Sequence, residues 1–252
     1  MDTEVRAERK SRRQQLVDTY HALANFHPCL SPADLLSIGI QQIPMTLEGD
    51  NCPKFFAAYG AAVQKPRVCS LDPYSSFENR PFYDAQALAA YLTQYFNHCV
   101  LPERASNPAG VAYSDWGNFG FGDLVDLTRG SRWQVKTTWH MPKSESPHIV
   151  VSMFSEMAEG DALFHGEIKT AIRIMYRRLK TALLLPHVIA PVLLFSAIGD
   201  KHLRVIEAYH DGDHLVMRTT PLFDLSKPDE DLFIRLTRWG LGGPSTESTT
   251  LA

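Results

Sequence analysis

One helical period stands between two groups of strand-like runs, and that alternation restricts the fold more than any other feature of the chain. The stretch EIKTAIRIMYRRLKTALLL, with the residues just before it, predicts a helix over 163–185, ended by Pro186. Ile168, Ile172, Met175, Leu179 and Ala182 recur at helical spacing and make its core-facing stripe. Before it lie strand-like runs at GVAY, a hairpin over 121–138 and HIVVSMF. After it come APVLLFSAI, LRVIEAYH and HLVMRTT, with Asp211-Gly212-Asp213 turning between the last two. A further helix, YDAQALAAYLTQYFNHCV with Asp84 as N-cap, precedes the first strand group. Helices sandwiched between strand groups pack on a sheet, so the expected fold is α/β (α+β), a mixed central sheet flanked by helices.

The rest of the chain is read around this core. Residues 2–26 form a charged helix with sparse apolar positions at Val5, Leu16, Tyr20 and Leu23. Its first half is basic (Arg6, Arg9, Lys10, Arg12, Arg13), which reads as a solvated, frayed terminus. Ser31 and Pro32 open a short helix as N-cap and first position, and CPKFFAAYGAAVQ reads as another. A C-terminal helix, DEDLFIRLTRW, closes the fold before a polar tail. The expected organisation is a helical extension over 1–80, a core over 81–240 and a disordered tail over 241–252.

Composition excludes several classes. A formal net charge of -3 rules out a uniformly basic nucleic-acid coat but leaves room for local basic patches. The four cysteines (Cys29, Cys52, Cys69, Cys99) are widely spaced with no C-x-x-C pair, which points to reduced thiols and away from a zinc site. The N-terminus lacks the apolar stretch of a secretory signal, and LLLPHVIAPVLLF is interrupted by Pro186 and Pro191, too short to span a bilayer. The expectation is a soluble, cytoplasmic protein without a membrane partner.

The hairpin GFGDLVDLTRGSRWQVKTT carries polar chemistry where a half-buried sheet has little use for it. Gln134 and Lys136, two apart, share a strand face. A two-residue turn at Arg129-Gly130 sets Asp123 opposite Lys136, Val125 opposite Gln134 and Asp126 opposite Trp133. A three-residue loop with Gly130 left-handed brings Asp126 to the Gln134 side instead. An ordinary cross-strand ion pair between Asp123 and Lys136 is the simpler alternative.

The order helix, strand, strand, strand, helix, strand, with Gly122-Asp123 on the second strand and Gln134-Val135-Lys136 on the third, resembles the PD-(D/E)XK nuclease superfamily over residues 84–200. The resemblance implies an αβββαβ core in which acids hold a divalent metal and the lysine steadies the attacking water or the phosphate. This chain departs from the pattern at Gln134, where a neutral amide replaces a carboxylate and weakens a Mg²⁺ site. Glu156, Glu159 and Glu167 are the acids that could compensate.

The helix over 163–185 also bears Lys169, Arg173, Arg177 and Lys180 at spacings of four, four and three, one cationic row with Arg178 beside it. Such a row suits phosphates and makes binding steeply salt-dependent; a solvated face is the other reading. His187, His202, His210 and His214 are scattered, Ser114 and Ser196 lack a nucleophile elbow, and the glycines at 117–122 do not open a helix as a dinucleotide loop does. Trp116, Trp133 and Trp139 cluster at the hairpin as core or stacking aromatics.

The segment PVLLFSAIGDKHLRVIEAYHDGDHLVMRTTPLFDL is similar to the fungal arginine-containing cyclodipeptide synthases, a resemblance covering about the C-terminal two-thirds. It implies a transferase that joins amino acids from charged tRNA into a diketopiperazine, with amino acids as the second substrates and no cofactor. Asp123, Gln134 and Lys136 would then be catalytic, and Asp126, Glu156 and Glu207 are candidates to pair an arginine guanidinium. Lys169, Arg173, Arg177, Arg178 and Lys180 would hold the RNA. Two alternatives stand beside it: a Mg²⁺-dependent nuclease and a catalytically silent nucleic-acid-binding module.

Overall fold

The computed structural model describes residues 3–63, 66, 80–99, 112–115, 121–122, 124–128, 131–140, 145–157, 160–199 and 201–251. Among these residues the centre is a nine-stranded mixed sheet. In chain order the main strands are β2 (Ile40–Pro44), β4 (Ala112–Asp115), β6 (Trp133–His140), β7 (Ile149–Ser155), β9 (Val192–Ile198), β10 (His202–His210) and β11 (Leu215–Thr219), in the spatial order β2-β11-β10-β9-β7-β6-β4. Two short strands, β5 (Val125–Asp126) and β12 (Phe223–Asp224), join β6 and β10 respectively, and β1 (Cys29–Leu30) pairs with β8 (Leu163–Phe164) in a separate two-stranded ladder. Neighbours run antiparallel except β7 with β9 and β11 with β2.

The long helices cover the two faces. On one face α3 (Pro81–His98) and α5 (Glu230–Gly240) bury Leu88, Leu92, Phe96, Leu232, Phe233 and Leu236 against Phe154, Leu193 and Phe195 of the sheet. On the other, α4 (His165–Arg178) lays Ile168, Ile172 and Met175 on Val135, Met153 and Leu194, and Leu16 and Leu23 come from α1 (Thr3–Ala22) and the turn after it. Between α3 and α4 the chain forms β4, β5, β6 and β7 in this sheet, one strand more than the helix, three strands, helix, strand order expected, and β9 follows α4 parallel to β7. Strands β7 and β9 are buried at all seven positions each, as strands covered on both faces must be, and they read as largely apolar runs interrupted by Ser152, Ser155 and Ser196.

Several sequence expectations shift. The basic N-terminal helix is docked, with Arg9 and Arg12 at 2% and 5% exposure. Arg9 donates to the carbonyls of Leu179, Leu184 and His187, and Arg12 to those of His210 and Asp211. These donors satisfy carbonyls at or just beyond the ends of elements, such as Leu179 after α4 and His210 at the end of β10, so the charges act as caps. The segment before residue 81 also supplies β2 to the central sheet. The stretch read as a helix over 52–64 instead contributes β3 (Phe56–Ala57), which pairs with β13 (Gly243–Pro244). That pairing, together with Val188 and Ile189 N–H groups donating to Thr249 O, holds the polar C-terminal stretch that was read as a disordered tail.

α2 (Pro32–Ser37) starts as read, with Ser31 and Asp34 forming a reciprocal capping box. α3 starts earlier than Asp84: Arg80 is its N-cap, and the buried Asp84 carboxylate receives the Arg80 N–H at 3.2 Å. α4 ends at Arg178, before Pro186, and Arg9 and Arg13 take the Leu179 carbonyl that the helix end leaves free. Ala182 consequently lies beyond the helix and is exposed. Among the described residues no helix is long and apolar enough to cross a membrane.

Candidate nucleic-acid interface and hairpin site

The outer edge of β6 is divided between two partners. β4 pairs over Thr137–His140 and β5 over Trp133–Gln134. Val125 lies opposite Gln134 and Asp126 opposite Trp133, the register of the two-residue turn. Leu124 O accepts the Val135 N–H at 2.9 Å, so Lys136 sits where β5 has ended and β4 has not begun. On the inner edge β6 bulges at the same place: the pairing with β7 skips from Val135 opposite Met153 to Thr137 opposite Ser152.

The bulge breaks strand parity. Val135 faces the α4 side, whereas Thr137 Oγ1 approaches Thr93 Oγ1 of α3 at 3.5 Å and Trp139 belongs to the α3-side core. The rule that residues two apart share a face therefore does not carry across Lys136. Gln134 and Lys136 are both half-buried. Asp123, the third member of the expected constellation, lies outside the described residues, as does Glu159.

The remaining candidate acids are held by the protein itself. Asp126 is half-buried and its Oδ1 accepts the Thr128 N–H at 3.1 Å, an Asx-type turn leading out of β5. Glu156 accepts the Arg132 N–H and Nε–H, each at 2.7 Å, and Arg132 stacks on Phe82 with 4.4 Å to the ring centre. Glu207 is fully buried on β10 and accepts three hydrogen bonds, from the Lys54 and Phe55 amides at 2.7 and 2.6 Å and from Arg218 at 2.9 Å. Burial pushes the Glu207 carboxyl up, and the two amides and Arg218 pull against it. Glu167, fully buried at the start of α4, grips Arg204 with two hydrogen bonds, 2.7 and 2.5 Å. Arg204 in turn holds the carbonyls of 160–162. Glu156, Glu167 and Glu207 are thus committed to arginines of this chain, and a guanidinium substrate would have to displace them.

The cationic row divides. Arg177 and Lys180 are exposed and Lys169 and Arg173 half-buried. Arg178 leaves the row: its guanidinium donates to the carbonyls of Ser146 and Pro147, and burial pushes it down to about 10. Arg173 lies over the Tyr20 ring at 4.5 Å and donates to its hydroxyl at 3.0 Å. Gly122, at φ +94, turns the hairpin entrance toward the same guanidinium, so that an added Cβ there would stand 3.5 Å from Arg173. The motif and the basic helix therefore meet at Gly122 and Arg173.

The composition of α4 alone understates this surface. Lys180 lies over the Tyr176 ring at 4.8 Å and hydrogen-bonds its hydroxyl, and with Arg13 and Arg177 it lowers the Tyr176 pKa. Arg13 comes from α1 and donates to Leu179 O at 3.1 Å. Arg13, Arg173, Arg177 and Lys180 thus form a two-helix cationic patch with Tyr20 and Tyr176 set into it. Arg13 was read as part of a loose terminus because nothing local in the sequence brings α1 onto α4. No family model, curated protein or solved structure matches this chain.

Proposed function

We propose that the protein is a charged-tRNA-dependent aminoacyl transferase that forms an arginine-containing cyclic dipeptide. The observation that carries the RNA part of this reading is the patch of Arg13, Arg173, Arg177 and Lys180, which runs through Arg173 to the hairpin entrance at Gly122. Cations and aromatic rings side by side suit a phosphate backbone with unstacked bases at its end. The choice of aminoacyl transfer over phosphodiester cleavage rests on Gln134 and on the engagement of Glu156 and Glu167 by Arg132 and Arg204. The arginine product rests on the family resemblance.

In this reading the patch holds the acceptor strand and the β6 fork receives its aminoacyl end. The amine of one aminoacyl ester attacks the carbonyl of another, a C–N bond forms, the C–O bond breaks and the ribose hydroxyl leaves with a proton. A second attack of the same kind closes the ring. Lys136, at the bulge, would donate to the developing oxyanion, and Gln134 would orient the ester. Asp123 would take the proton from the attacking amine.

The test is incubation of the purified protein with tRNA, arginine, other amino acids, ATP and the matching synthetases, followed by mass spectrometry. The expected product is an arginine-containing cyclic dipeptide that disappears after prior ribonuclease treatment and in Lys136→Met. Absence of product with shortened tRNA in Mg²⁺ would replace this reading with the nuclease. Salt-sensitive RNA binding without any turnover would leave a binding module.

A further inference from the structure

Three hydroxyls meet behind the β6 bulge, inside the apolar core that α3 shares with the sheet. Thr93 comes from α3, Thr137 is the first paired residue of β6 after the bulge, and Ser152 lies directly opposite Thr137 on β7. All three are buried, at 4%, 0% and 0% exposure. Phe154, two residues on from Ser152, and Phe195, its partner on β9, both belong to the α3-side core. The Ser152 side chain therefore points toward α3, as the Thr137 side chain does.

The hydrogen bonds of this cluster do not close. Each hydroxyl carries one hydrogen and can accept two. Thr93 Oγ1 and Thr137 Oγ1 stand 3.5 Å apart, well beyond the roughly 2.7 to 2.8 Å of an ordinary O–H···O bond. Ser152 Oγ has no partner among the described residues. Among those residues, at most one of the three hydrogens is matched, and that one poorly. A desolvated donor in an apolar core is unfavourable, and Val or Ala would fill similar space without it.

One small molecule satisfies the whole cluster. A water offers two hydrogens and accepts two, and buried waters typically make about three hydrogen bonds to groups of this kind. Antiparallel pairing sets the Thr137 and Ser152 Cβ atoms about 4.5 to 5.5 Å apart, close enough for one water to bridge their hydroxyls. A cation does not suit the place, since the three oxygens are neutral and the surrounding core is of low dielectric.

We infer that Thr93, Thr137 and Ser152 bind one ordered water, which ties the strand just past the bulge to α3 and so fixes the stretch of chain that presents Lys136. Thr137 and Ser152 are the first pair after the register shift, so the water bonds the ladder where the extra residue has interrupted it. The three hydroxyl residues are positioning residues, acting on Lys136 through the backbone. The site depends on no RNA and no amino acid, so its test is separate from that of the proposed reaction.

The test pairs a crystal structure of the full chain with melting and hydrogen exchange of variants. The expected structure shows one solvent peak within hydrogen-bond reach, roughly 2.6 to 3.2 Å, of all three hydroxyl oxygens. Ser152→Ala then takes a partner from the bound water, and the melting temperature should fall by about 2 to 4 °C. In a dry core the same substitution removes an orphan donor, and the melting temperature should hold or rise. Thr137→Val should cost less in the Ser152→Ala background than alone, because the water is already gone. Exchange of the Lys136 and Thr137 amides should also speed up more in Ser152→Ala than exchange within β11. A direct Ser152–Thr137 hydrogen bond with no solvent between them overturns the inference. So does a Ser152→Ala protein that melts at or above the wild-type temperature, or a double variant whose shifts simply add. Exchange that accelerates equally in β11 overturns the link to Lys136.

Discussion

Arginines with nearly the same local sequence do opposite work. Arg177 and Arg178 are adjacent, yet one faces solvent and the other is drawn into the carbonyls of Ser146 and Pro147. Removal of each phosphate contact should lower the salt dependence of RNA binding by about 0.7 to 0.9 in log–log slope. Arg177→Ala with Lys180→Ala is therefore expected to reduce that slope by about 1.5 and leave thermal stability unchanged, measured by filter binding between low and moderate salt. Arg178→Ala should lower the melting temperature and leave the slope nearly intact. If both variants change the slope equally, Arg178 is available to phosphate and the division of the row is wrong. The Glu167–Arg204 pair makes a different prediction. Both side chains are buried, so Glu167→Gln leaves an uncompensated cation and should cost about 3 to 5 kcal/mol in denaturant unfolding. Adding Arg204→Met should restore part of that loss, because the desolvated charge is then gone.

At the scale of elements, the sequence displays most of the sheet and little of what crosses it. β7, β9, β10 and β11 were legible because their apolar runs are long and bounded by turn residues, and the 3.6-residue period of α4 separated the two strand groups. The register of β5 against β6 was also legible as one of two alternatives, since turn length leaves only a few pairings. The bulge at Lys136 was not, because an extra residue in one strand leaves no mark in composition. Nor was the docking of α1, whose contacts with α4 and the β10–β11 turn lie about 170 to 200 positions away in sequence. The candidate acids were visible as residue types, but their partners were not: Arg132, Arg204 and Arg218 reach them through tertiary structure. The α1 docking can be tested directly. Leu16 is fully buried in the α4-side core, so Leu16→Ala should cost about 2 to 5 kcal/mol, whereas a frayed terminus would lose almost nothing. The readout is the urea midpoint, with exposure of α4 to limited proteolysis as a second signal.

For the whole molecule, a sheet covered on both faces leaves several histidines in places where water cannot stabilise their charge. Desolvation is the first cause in each case. It pushes His148, at the entry to β7, down to about 4, with His187 and Arg178 adding to the effect. His165, opening α4, falls to about 4 with help from Lys169, and His210 does so beside Arg12. An unfolded chain returns each imidazole to about 6.5. Between those values the unfolded state binds protons that the folded state refuses, so the stability these groups contribute is complete above about pH 6.5 and is lost as pH falls toward 4. Each can add a slope of at most about 1.4 kcal/mol per pH unit, with less from His165, which keeps more water. The raised carboxyl of Glu207 has the opposite sign, since its ionised form is penalised and protonation relieves it. It partly offsets the histidines at the acid end. In the window from pH 6.5 to 5 carboxylates of ordinary pKa stay ionised, so the histidines act there against the raised Glu207 carboxyl alone. The melting temperature is expected to fall through that window, and His148→Gln, which cannot titrate, should make the fall shallower. A melting temperature that stays flat or rises from pH 7 to 5 would mean that these imidazoles remain hydrated in the folded protein, and that the two faces of the sheet are less tightly sealed than the packing indicates.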